Sequence, residues 1–213
     1  MRIARNGMKV IFPVFLVSFV MVILSVYFRS TVIVALFWFF LILLGFLIYF
    51  FRDPERIIPE GEGIIVSPAD GKVMAVESLK SSFCGDSVRV SIFMSLFNVH
   101  VNRVPYSGVV ENVEYRPGQF RPAYRSGVEK TNESNTIYIE SGELKLIVKQ
   151  IAGVIARRIV SYVGKGDRVV RGQRFGMIMF GSRVDLILPS RVKLRVGVGQ
   201  KVKAGETIVG EID

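Results

Sequence analysis

The chain has 213 residues, half of them hydrophobic, and a formal charge of +10. That length holds one or two domains, and the dispersed basic residues, not interleaved with aromatics, argue against a nucleic-acid interface. One cysteine, Cys84, and one histidine, His100, exclude an intrachain disulfide and leave too few ligands for a Cys/His zinc site.

Two uncharged stretches open the chain, at about residues 10–28 and 31–51. Each is long enough to cross a hydrocarbon core of about 30 Å. Only Arg29 and Ser30 separate them, which forces a helical hairpin with both ends on one side. A hairpin dipping into one leaflet is the alternative. Arg2, Arg5 and Lys9 precede the first stretch, Arg52 and Arg56 follow the second, and Arg29 stands alone in the turn. The positive-inside rule then puts both ends in the cytoplasm. The expected location is the cell membrane, whose anionic surface attracts each nearby Lys or Arg by about 1 kcal/mol. A cleaved signal peptide fits poorly, because no small-residue cleavage site follows and a second span comes at once.

Beyond a polar linker, "RDPERIIPEGEG", come short β-branched runs separated by glycine turns, at 64–66, 72–76, 87–93, 109–115, 136–140 and 144–151, with more after Ile159. This spacing predicts strands. Residues 152–160 read as a short helix. "VGKGDRVVRGQRFGMI" and "VGVGQKVKAGETIVGEI" form a weak internal repeat of glycine hairpins like those of biotinyl and lipoyl carrier folds, without the carrier lysine motif. The expected fold is mainly β. A membrane hairpin over 1–52 carries two transmembrane helices, and a β-rich sandwich or barrel occupies 53–213.

Three stretches carry chemistry. In "SPADGKV", Asp70-Gly71 is a favoured turn dipeptide between strands, so Asp70 either makes the turn or acts in a site. In "SIFMSLFNVHVNRVP", period two places His100 on one strand face with Asn98 and Asn102. His100 is the only side chain whose ordinary pKa suits proton transfer near neutral pH. In "MIMFGSRVDLILP", Gly181-Ser182 interrupts two strand-like runs, as a bulge or as an exposed nucleophile, though not in a G-x-S-x-G elbow. One Asp, one His and one Ser are the parts of a nucleophile, base and orienter system. Cys84 reads as an inert loop or core residue.

"FRDPER", "SPADGKV", "SIFMSLFNVHVNR", "KQIAGVIARRIVSYV", "FGSRVDLILP" and "GQKVKAGETIVGEI" cover most of the soluble region. In this order they resemble the short, membrane-anchored type of the phosphatidylserine decarboxylase proenzyme family. The resemblance implies a carboxy-lyase that cuts its own Gly181–Ser182 bond. Ser182 would attack the Gly181 carbonyl and form an ester. Elimination and hydrolysis would then convert Ser182 to a pyruvoyl group on a small chain, 182–213, paired as a heterodimer with a large chain, 1–181. That group, with no external cofactor and no metal, would form a Schiff base with the phosphatidylserine amine and act as electron sink. The products would be phosphatidylethanolamine and carbon dioxide. His100 matches the family's histidine region and would be the general base in cleavage, and a possible proton donor after decarboxylation. Asp70 would orient or charge-stabilise it.

Two positions depart from the family. A second histidine found in longer members is replaced here by the neighbourhood of Asn102 and Arg103. Ser134 stands where short members carry arginine, with Arg121, Arg125 and Lys130 nearby as substitutes. Other readings of the chain are an archaetidylserine decarboxylase with the same chemistry, a non-catalytic membrane-anchored β adaptor, and a serine hydrolase using Ser182.

Overall fold

The computed structural model describes residues 2–125, 127–142, 144–154, 159–179 and 181–212. The chain divides into two compact units, residues 1–55 and 56–213.

The first unit is a helical hairpin. Helix α1 (Met8–Phe28) and helix α2 (Thr31–Phe50) match the two uncharged stretches within two residues and are long and apolar enough to cross a membrane. The turn is made by Arg29, which takes a left-handed φ of 48°, an uncommon conformation for a residue with a Cβ. At the other end, β1 (Arg2–Ile3) pairs antiparallel with β2 (Arg52–Asp53), so both ends of the hairpin meet. Arg52 stacks over the Tyr49 ring at 3.9 Å. Phe12, Trp38 and Ile42 are exposed on these helices. Such apolar faces are costly in water and compatible with lipid.

The second unit is almost all strand. Its elements run β3 (Ile64–Val66), β4 (Gly71–Ser81), β5 (Gly85–Met94), β6 (Val101–Arg103), β7 (Gly108–Arg116), α3 (Val128–Thr131), β8 (Ser134–Glu140), β9 (Lys145–Ala152) and β10 (Ile159–Ser161). They continue with β11 (Arg168–Val169), β12 (Arg174–Ile178), β13 (Ser182–Pro189), β14 (Lys193–Leu194), β15 (Lys201–Val202) and β16 (Ile208–Glu211). A curled eight-stranded sheet has the order β11-β7-β8-β9-β13-β5-β4-β15 and is completed by the three-stranded sheets β10-β12-β6 and β14-β16-β3. Period-two alternation builds the core. In β13, Val184, Leu186 and Leu188 join Val90, Ile92, Ile137 and Val148, while Arg183 and Asp185 take the other face.

The expected repeat is real in three dimensions. β11–β12 and β15–β16 each follow a positive-φ glycine (Gly166 at 90°, Gly199 at 92°) and each turn on another (Gly172 at 82°, Gly205 at 77°). Both turn glycines pack on the Ile58 side chain.

Two local expectations are corrected. The helix proposed over 152–160 is not there in its described parts: Ala152 ends β9 and residues 159–161 form β10, while 155–158 lie outside the described residues. Backbone pairing with β8, β13 and β12 overrides local helix preference. Asp70-Gly71 is not a hairpin turn either, because β3 and β4 belong to different sheets and residues 68–70 cross between them. Gly71 has no positive φ. It is glycine because a Cβ there would collide with the Phe93 carbonyl oxygen on the neighbouring strand.

Candidate active site

Ser182 is the first residue of β13 and is fully buried. It is clamped on both sides, opposite Met94 of β5 and Ala152 of β9. It shares its face with Val184, so its hydroxyl points to the core side, where Oγ donates to Met94 Sδ at 3.4 Å. Thioether sulfur is a weak acceptor, so this bond holds the proton loosely.

Gly181 takes φ +57°. Nothing would crowd a Cβ there, so the left-handed backbone alone calls for glycine. That conformation turns its carbonyl toward Gly153, which follows β9. A Cβ on Gly153 would collide with the Gly181 oxygen and lie 3.0 Å from its carbon. Asn132 secures this corner: its Nδ2 donates to the Ala152 carbonyl at 2.8 Å and to the Arg121 carbonyl at 2.8 Å. Gly153 and Asn132 were not legible as site residues. Their only signal is a glycine and an asparagine within "QIAG" and "TNES".

His100 is buried, but not on a strand face with the two asparagines. After β5 the chain turns at 95–98, where Asn98 Oδ1 accepts from the Ser95 N–H and hydroxyl, and β6 begins only at Val101. Side-chain bonding by Asn98 competes with the strand that alternation predicts. The turn has a chemical consequence. His100 Nδ1 lies 2.9 Å from the Asn98 carbonyl, which only accepts, so Nδ1 carries the proton. In the neutral ring the basic lone pair is then on the buried Nε2. The His100 carbonyl accepts from the Ile178 N–H at 3.3 Å, which ties this segment to the end of β12, four residues before Ser182.

Asp70 lies on the neighbouring segment, because the Pro68 carbonyl accepts from the Arg103 N–H at 2.9 Å. Its hydrogen bonds do not run to His100, however. Arg56 Nη2 bridges both carboxylate oxygens at 2.9 and 2.8 Å, and the Ala204 N–H donates at 2.8 Å. Arg56 also lies 3.4 Å from Glu206. Arg56, the last residue of "FRDPER", is a partner that sequence reading missed, because the pair spans 14 positions without periodicity.

The opposite face of the sheet is charged. Arg183 Nε and Nη2 reach Asp185 at 2.6 and 2.9 Å, and both side chains are buried. Ser134 faces this side too, since it pairs with Ile151, which pairs with Arg183. It lines a cavity of about 180 Å³ with Arg116 and Lys149. Burial, with Arg116 beside it, pushes the Lys149 pKa down. These are the cations that the fold brings to position 134; Arg121, Arg125 and Lys130 are exposed. Cys84 sits in the turn between β4 and β5, where burial pushes its thiol up to about 11, in keeping with an inert residue. Among the described residues no group of three His, Cys, Asp or Glu gathers that could hold a metal.

The fold and site together define the class: a β-rich domain that buries a serine at the head of a central strand, behind a left-handed glycine. Comparison with known proteins gives the class its family. The family model for phosphatidylserine decarboxylase matches residues 43–210. The chain is 51% identical over 166 residues to the phosphatidylserine decarboxylase proenzyme of Chlorobium phaeobacteroides, covering 78% of each chain. It is 51% identical over 171 residues to that of Syntrophus aciditrophicus (78% and 79% covered). It is 48% identical over 170 residues to that of Carboxydothermus hydrogenoformans (78% and 80% covered). The chain belongs to the phosphatidylserine decarboxylase family, a family of carboxy-lyases.

Proposed function

We propose that the chain is a proenzyme that cuts itself between Gly181 and Ser182 and then decarboxylates phosphatidylserine to phosphatidylethanolamine. The observation that carries this reading is the Gly181 carbonyl, turned out of strand geometry against a residue without a side chain, next to a buried serine hydroxyl that donates to the Met94 sulfur.

In the first step Ser182 Oγ bonds to the Gly181 carbon, the bond from that carbon to the Ser182 nitrogen breaks, and the hydroxyl proton ends on that nitrogen. His100, with its lone pair on Nε2, is the general base. The ester then eliminates. The Ser182 Cα proton goes to a base, and the Cβ–Oγ bond breaks with its electron pair on the oxygen of a Gly181 carboxylate. Water replaces the nitrogen as ammonia and leaves the pyruvoyl group. The residues fit such a group, since Ser182 is buried between Met94 and Ala152. There it would supply an electron sink for loss of carbon dioxide from an amino-acid headgroup. Arg56 holds the Asp70 carboxylate in place beside the segment that carries His100.

The new chain 182–213 would stay bound to 1–181, because β13 lies between β9 and β5, and β16 pairs with β3. The hairpin would anchor the second unit at the cell membrane with both ends in the cytoplasm, where the excess of Lys and Arg flanks it.

Intact mass spectrometry of the detergent-solubilised protein tests the reading. Two chains split at 181/182 are expected, the smaller with a carbonyl-bearing, blocked N-terminus, and Ser182→Ala should remain one chain. A single unmodified chain, in a sample given time to mature, would overturn it.

A further inference from the structure

The Met94 sulfur that receives the Ser182 hydroxyl also receives Asn102 Nδ2, at 3.7 Å. Behind Asn102 two more amides stand in file. Gln150 Nε2 donates to Asn102 Oδ1 at 2.8 Å, and Asn135 Nδ2 donates to Gln150 Oε1 at 3.0 Å. Asn102 and Gln150 are fully buried and Asn135 nearly so. They come from three strands, β6, β9 and β8, and Gly176 makes room, since a Cβ there would lie 3.0 Å from Gln150 Nε2.

Burying three amides costs free energy unless each is satisfied. A carboxamide has one donor end and one acceptor end, so each member sets the direction of the next. The file therefore delivers an N–H, not a carbonyl, at the sulfur that also holds the Ser182 hydroxyl. A carbonyl there would accept the hydroxyl proton and hold it. An N–H instead suits an oxygen that gains negative charge.

We propose that Asn102 is a further catalytic residue of self-cleavage, donating its amide N–H to the oxygen that leaves Ser182, and that Gln150 and Asn135 are its positioning residues. This rests on the reading of Gly181–Ser182 as the cleavage site. After the acyl shift, Oγ is the bridging oxygen of the ester. When the Cα proton departs and the Cβ–Oγ bond breaks, the electron pair settles on that oxygen as the Gly181 carboxylate forms. A preorganised donor is worth most where charge develops. Turning the Asn102 amide by itself would break its buried bonds to Gln150 and Met94.

The test follows maturation of the full-length protein in detergent by intact mass, with and without neutral hydroxylamine, which splits esters and spares amides. Asn102→Asp keeps the shape and loses the N–H. In Gln150→Glu an ionised carboxylate can no longer donate to Asn102 Oδ1, and the Asn102 amide turns about. Both variants should mature about a hundredfold more slowly, the cost of one such donor. Both should accumulate a full-length species that hydroxylamine splits at 181/182, leaving unmodified serine at the new N-terminus. If a melting scan shows that the new carboxylate unfolds Asn102→Asp, Asn102→Leu is read the same way. Wild-type maturation in these variants would overturn the proposal, as would a folded, uncut chain resistant to hydroxylamine. If the wild-type protein itself never splits and holds no ester, the cleavage reading falls, and this proposal with it.

Discussion

A methyl group on Gly153 would collide with the oxygen of Gly181, so Gly153→Ala must push that carbonyl back toward the sheet or move the end of β9. Either shift takes the carbonyl away from the approach of Ser182 Oγ, and misplacement by about 1 Å can cost about a hundredfold in rate. The variant should fold and mature at least that much more slowly, as a time course of intact mass would read; cleavage at the wild-type rate would discard this role for Gly153. At Cys84 the expected effect is on pH. With the thiol raised from 9.0 to about 11, the reactive thiolate is scarce until the pH climbs well above neutral. Alkylation at pH 8 should run about a hundredfold slower than at a thiol of ordinary pKa, and should accelerate through pH 10. A rate that reaches half its plateau near pH 9, as at an ordinary thiol, would contradict it.

Strand β13 does two jobs at once. Its inward face, Val184, Leu186 and Leu188, is core, and its first residue is the candidate nucleophile. Hydrogen bonding to β9 and β5 along its length makes the position of Ser182 a property of the whole strand. Leu186→Ala removes a fully buried side chain from the middle of that strand, at a cost of about 2–5 kcal/mol. The melting temperature of the β unit should fall accordingly. Maturation should slow only in proportion to the unfolded fraction, because Leu186 lies four residues from the bond. An unchanged melting temperature would show that the strand is not central to the fold. Outward, the Arg183–Asp185 pair is two residues apart on the same strand and fully desolvated, a geometry in which losing one partner strands a buried charge.

At the scale of the molecule, the boundary between the two units falls between Glu55 and Arg56. The second unit has its own core and should fold without the hairpin. Where the chain is cut matters, because the Arg56 and Asp70 side chains are only 7% and 11% exposed. A chain starting at Arg56 should be soluble and cooperative in melting. The same chain carrying Arg56→Met should be about 3 kcal/mol or more less stable, since it leaves a buried carboxylate without its cation. Equal chemical-denaturation midpoints for the two would show that Asp70 does not depend on Arg56.

The sequence by itself determined what depends on neighbours along the chain. Two uncharged runs of some twenty residues are helices in any apolar setting, since only intrachain hydrogen bonds satisfy their backbones. Alternating β-branched runs are strands, and the glycines at 166, 172, 199 and 205 mark backbone turns that side chains resist. Ser182 and His100 stand out as candidates by residue type and by family resemblance. The tertiary structure alone decided what depends on residues far apart. It gave Asp70 to Arg56 and Ala204, turned the 95–98 segment so that Asn98 sets the His100 tautomer, placed Gly153 against the Gly181 carbonyl, and aligned Asn135, Gln150 and Asn102 behind Met94. None of these pairs has a sequence period, because each is set by the register of strands that meet only when the sheets close.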